Sequence, residues 1–164
     1  LEQILASFAA HAPDTLSLVV RRHPLDPRLT DWEGLITQRA RALGIATRVY
    51  FMADGQLDPV LDASEGIVTV NSTVGLLALR RDRPVKILGE AIYDVPGLTF
   101  QEPLDLFWRA ASRPDAELLD AFCRMLIQEV LVEGDFFTPE GRALAVEGSV
   151  RRIVSAYSDR ARNA

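Results

Sequence analysis

The chain has 164 residues, 48% of them hydrophobic, and a formal net charge of −5. This is enough for one domain with a real apolar core, and the acidic balance argues against a general nucleic-acid binder, which needs a basic face to replace phosphate counterions. The single cysteine, Cys123, makes no internal disulfide, and with only His11 and His23 beside it there is no ligand set for a structural metal.

Leu1, Ile4, Leu5 and Phe8 fall at helical spacing, so a helix is expected from the first residues and the chain reads as a piece of something longer. Pro13-Asp14 ends it. Leu16 to Val20 reads as a buried strand that stops at Arg21-Arg22-His23-Pro24, which places His23 where a strand ends. Asp31 is a candidate N-cap for a helix carrying Trp32, Leu35, Ile36, Ala40 and Leu43, closed by Gly44. Thr47 to Met52 follows as the second strand, and Asp54-Gly55 turns the chain.

A short helix with Leu57, Val60, Leu61 and Ala63 leads to the third strand, Gly66 to Val70. There a β-branched run passes through Asn71-Ser72-Thr73 directly into the helical pattern Val74-Gly75-Leu76-Leu77-Ala78-Leu79, gathering hydroxyls, an amide and free backbone N–H groups at one helix N-terminus. The fourth strand, Pro84 to Gly89, opens into Glu90-Ala91-Ile92-Tyr93-Asp94. Four alternations of strand and helix imply βαβ units and a Rossmann-like parallel sheet of about four or more strands flanked by helices. In one such sheet His23, Asp54-Gly55, Asn71-Ser72-Thr73 and Gly89-Glu90 share the carboxyl edge, where ligands bind.

Beyond Phe100 the pattern is helical. Helices are expected over Pro103 to Ala111 and Ala116 to Val132, the second an amphipathic stripe on which Cys123 is core filling, and a last one runs through Val146, Val150, Ile153, Val154 and Tyr157. Residues 1–132 thus read as the nucleotide-binding domain and 133–164 as its helical C-terminal extension.

The residues with chemical potential each have a plain alternative. His23 is either a locally bonded loop histidine or a donor to a phosphate. Ser72 and Thr73 cap helices without any ligand, yet here they face the ligand edge, and Asn71 alone would be a turn former. Glu90 is a surface carboxylate or an acceptor for ribose hydroxyls, with Asp94 a weaker candidate for the same role. The arginine clusters Arg21-Arg22, Arg80-Arg81-Arg83 and Arg151-Arg152 could meet phosphates or anionic head groups, but solvated arginines are the commoner case. No Walker, Gly-x-Gly-x-x-Gly or Gly-x-Ser-x-Gly motif is present.

Arg22-His23-Pro24-Leu25-Asp26, Val68 to Gly75, and Pro84 to Thr99 together resemble the bacterial capsule polysaccharide biosynthesis and export family of β-Kdo glycosyltransferases, and the likeness spans roughly Leu16 to Val132. The resemblance implies the C-terminal half of a GT-B enzyme that uses CMP-Kdo to build a poly-Kdo linker on a lipid anchor. It implies that His23-Pro24 and Ser72-Thr73-Val74 contact the CMP moiety; Asn71, Gly89 and Glu90 are placed in the same nucleotide site by their position at the carboxyl edge of the expected sheet. No cofactor beyond the donor and no metal is expected. The catalytic acidic groups would belong to an N-terminal domain outside this chain, so no catalytic residue is named, and Arg22 is a conceivable partner for the Kdo carboxylate. The implied partners are a CMP-sugar donor and a lipid-linked Kdo acceptor, at a cytoplasmic site peripheral to the inner membrane. A nucleotide-sugar epimerase and a non-catalytic interaction module of capsule export are the rival readings.

Overall fold

The computed structural model describes residues 1–162 and divides into two compact units, one spanning Leu1–Leu119 and one beginning at Asp120. In chain order the elements are α1 (Glu2–His11), β1 (Leu18–Arg21), α2 (Trp32–Ala42), β2 (Val49–Met52), α3 (Leu57–Ala63), β3 (Ile67–Thr69), α4 (Val74–Leu79), β4 (Val85–Ile87), α5 (Leu104–Ala110), α6 (Ala116–Met125), a π-helical turn over Leu126–Val130, and α7 (Pro139–Arg162).

The local signals produce the expected ends. Asp31 Oδ1 accepts from Gly34 N–H at 2.9 Å and caps α2, and Gly44 turns the chain at φ 72° just beyond it. Both βαβ crossovers form parallel pairs, Leu18 opposite Val49 in β1–β2 and Ile67 opposite Val85 in β3–β4.

The expected single sheet of four or more strands is not what forms. Among the described residues there are two separate two-stranded parallel sheets, β1–β2 and β3–β4. Strands of three and four residues each spend their ladder bonds on one partner. The two pairs are joined through apolar side chains instead. Phe8 of α1 and Ala12 at its end pack with Leu18 and Val49, while Phe100, Leu104 and Phe107 pack on Val68. Trp108 of α5 belongs to both groups. Its ring meets Phe8 edge-on at 5.2 Å and Phe107 at 5.8 Å, and its indole N–H donates to Ser7 Oγ at 2.8 Å, which in turn donates to Asp105 Oδ1 at 2.6 Å.

In the second unit, the helix expected to reach Val132 instead leaves α-geometry after Met125. Leu131 N–H closes the π-turn onto Leu126 C=O at 2.7 Å. The carbonyls of Gln128 and Glu129 are satisfied by the Arg152 guanidinium at 2.7 and 2.9 Å, which meets the requirement that helix-end acceptors find donors. Arg81 and Arg152 of the arginine clusters are tied locally, whereas Arg151 sits in an exposed surface pair. Arg81 bonds Asp62 at 3.1 Å and also pairs with Asp58, clamping α3 to α4. Arg151 pairs with Glu147 at 3.0 Å.

Candidate functional site

The sequence candidates stand beyond the carboxyl ends of the two strand pairs. At the end of β1–β2, the loop after β1 folds on itself: Asp26 N–H donates to His23 C=O at 3.0 Å, and Leu25 N–H donates to His23 Nδ1 at 3.1 Å. Nδ1 is thus an acceptor, and the neutral ring carries its proton on Nε2, with the side chain exposed. Pro24 is exposed beside it. Asp26 accepts from Arg28 N–H at 2.8 Å and from the Trp32 indole at 3.0 Å, and these two bonds hold its carboxyl below the usual range.

The loop after β2 is joined to this one by Arg22, whose guanidinium reaches Asp54 at 3.2 Å with its side chain only 15% exposed. Arg22 is therefore engaged by a carboxylate of the chain itself. Arg28 lies 3.8 Å from the same group. A cleft of about 160 Å³ opens there, lined by Arg22, Arg28, Thr30, Trp32 and Phe51 among others.

The end of β3–β4 brings the other sequence candidates together. Gly89 N–H donates to Val70 C=O at 3.1 Å, and a Cβ on Gly89 would stand 2.8 Å from Val70 Cγ1, so the two loops approach as closely as a glycine permits. Asn71 and Glu90 follow directly on these two residues. The Ser72 hydroxyl accepts from Val74 N–H at 3.2 Å, while Thr73 occupies the N-cap of α4 with no side-chain capping bond. With six residues, α4 supplies less than the full dipole of a long helix.

Tyr93 is the residue that sequence reasoning undervalued. Only 3% exposed, it turns back from the loop after β4 so that its hydroxyl donates to Ser72 C=O. Burial, with the Asp94 carboxylate second, pushes its pKa up and keeps it a donor. The signal in the sequence was Gly75, since a Cβ there would lie 2.8 Å from Cε2 and Cζ of the Tyr93 ring. Asp94 is internal to its loop, accepting from Thr99 Oγ1 at 2.6 Å and Gln101 Nε2 at 3.2 Å. Among the described residues, the side chains of Asn71, Thr73 and Glu90 are exposed and make no hydrogen bond. Among those same residues, no hydrogen bond or ion pair links the His23 loop to the Ser72 loop.

Among the described residues no cluster of three or more His, Cys, Asp or Glu is arranged to hold a metal ion, and no helix is long and apolar enough to cross a membrane.

The family described as capsule polysaccharide biosynthesis protein matches residues 1–137. The chain is 31% identical over 137 residues to the capsule polysaccharide export protein KpsS of Escherichia coli, covering 84% of this chain and 35% of that protein. It is 35% identical over 139 residues to the capsule polysaccharide modification protein LipB of Neisseria meningitidis serogroup A, covering 84% of this chain and 33% of that protein. The chain thus spans about a third of the length of these curated relatives. No solved structure matches it. With its α/β unit lying wholly inside the matched residues, the chain belongs to the capsule polysaccharide biosynthesis protein family.

Proposed function

We propose that this chain is the donor-nucleotide-binding part of a retaining β-Kdo glycosyltransferase that uses CMP-Kdo to build the linker of a capsular polysaccharide. The observation that carries the reading is the clasped pair of loops after β3 and β4. Tyr93 and Gly89 hold them together, and Asn71, Thr73 and Glu90 stand on them with their polar atoms uncommitted among the described residues. In this reading the Ser72 and Thr73 hydroxyls donate to the CMP phosphate, with Val74, whose N–H is held by Ser72 Oγ, lining the same turn, and Asn71, Gly89 and Glu90 receive the ribose. His23, on Pro24's rigid loop, donates from Nε2–H.

The contribution to transfer is electrostatic. As the bond from the sugar to CMP breaks, negative charge grows on the departing phosphate, and fixed donors aimed at it lower that barrier. Arg22 is already paired with Asp54. Arg28, more loosely paired with the same carboxylate at 3.8 Å and 69% exposed, is the cation that can turn to the donor's carboxylate. The acceptor and the acidic groups acting at the anomeric carbon are assigned to the rest of the relatives' length.

Calorimetric titration of the chain with CMP, UMP and UDP tests this. Selective CMP binding, weakened about tenfold by Ser72→Ala or His23→Ala without loss of folding, is expected; about 1.4 kcal/mol corresponds to that factor. Preference for the uridine nucleotides would instead indicate an epimerase-like site.

A further inference from the structure

The helix α7 has two unlike sides. Gly141 is buried, a Cβ on Gly148 would stand 2.6 Å from Val132 Cγ1, and Arg152 grips the carbonyls of Gln128 and Glu129. At about 100° per residue these positions form one stripe, the side on which α7 packs within its own unit. Val146, Val150, Ile153 and Tyr157 recur at spacings of four, three and four on the opposite side. They are 63%, 54%, 68% and 77% exposed. Four large apolar side chains in one row, turned away from the packed side, form an unpartnered seam.

We propose that this seam is a parallel, two-stranded helical contact with a second copy of the chain. Val150 and Tyr157 then occupy a positions with Ala143, and Val146 and Ile153 occupy d positions. The charges flanking the seam select this occupant. Arg142 falls at g and Glu147 at e of the next heptad, and in a parallel in-register pair these two face each other across the interface, once on each side of the symmetry axis. An antiparallel pair would set e against e and g against g, and the complementarity would be lost. Both groups are free to exchange partners at little cost. Among the described residues, the Glu147 side chain is engaged only by Arg151, in a surface pair with side chains 71% and 75% exposed, and the Arg142 side chain only by a 3.4 Å bond to Phe136 C=O.

Sedimentation equilibrium of the full chain over a range of concentrations tests the contact. The mass is expected to rise from the 18.1 kDa of one chain toward twice that value, and Ile153→Glu, at an exposed position, is expected to hold it at the single-chain value with unchanged circular dichroism. Arg142→Glu and Glu147→Arg should each weaken association by about tenfold, since ion pairs become like-charge contacts, and the double reversal should restore it. In a Cys123→Ser background, Tyr157→Cys should yield a disulfide-linked dimer, because only parallel in-register helices place those positions opposite each other. A single-chain mass at the highest soluble concentration overturns the proposal. So does a dimer indifferent to Ile153→Glu, or charge reversals that do not compensate. A monomer that sediments with anionic phospholipid vesicles would assign the seam to a lipid surface instead.

Discussion

The Tyr93 hydroxyl donates to the carbonyl of Ser72, so a residue of the loop after β4 fixes the backbone of the loop after β3 from 21 positions away. Tyr93→Phe removes this bond and leaves the ring. The expected cost is about 1 kcal/mol of stability, typical of one intramolecular hydrogen bond, with a larger proportional loss in CMP affinity because the Ser72 turn is released. Thermal unfolding and calorimetry on the same variant read the two effects.

Gly75→Ala addresses the same contact from the helix side. A methyl group there lies within 2.8 Å of the Tyr93 ring, so the ring must move, at a cost of about 1–3 kcal/mol for an overpacked site. Denaturant unfolding should show this loss, and the double variant Gly75→Ala/Tyr93→Leu should recover part of it.

Trp108 joins the apolar groups that cover the two small sheets. Trp108→Ala is expected to cost about 3 kcal/mol, the lower end for a large aromatic because the residue is only partly buried. Trp108→Phe keeps the packing but leaves Ser7 without its indole donor, and should cost about 1 kcal/mol. Chemical denaturation monitored by far-ultraviolet circular dichroism distinguishes the two.

Asp26 gives a pH dependence with a defined sign. Its folded pKa is depressed below 3.8, chiefly by the Arg28 N–H bond and next by the Trp32 indole, so its stabilisation of the loop is present above about pH 4 and is lost as pH falls through the lower folded value. The indole resonance of Trp32, followed by NMR through an acid titration, should move with that protonation. In Asp26→Asn the movement should be absent.

Arg81 is a test of the charge clamp between α3 and α4. It contacts Asp58 and Asp62 from a side chain 28% exposed, and Arg81→Met should cost about 1 kcal/mol, with a smaller difference from wild type at high salt.

Local signals in the chain set the order of strands and helices, the capping of α2 by Asp31, the stop at Gly44, and the placement of His23, Ser72 and Glu90 in the loops after strands, though not the π-helical turn after Met125. These depend on periodicity, turn chemistry and capping, which act over a few residues. Those signals did not determine which strands pair. Short apolar strands carry little pairing information beyond their own length, so the division into two sheets is a property of the tertiary structure. The pairing of Arg22 with Asp54, the capture of Asp94 by Thr99 and Gln101, and the reach of Tyr93 to Ser72 were likewise decided only by the fold. Each depends on side chains distant in sequence meeting at one point, where burial and geometry select among partners that composition leaves equivalent.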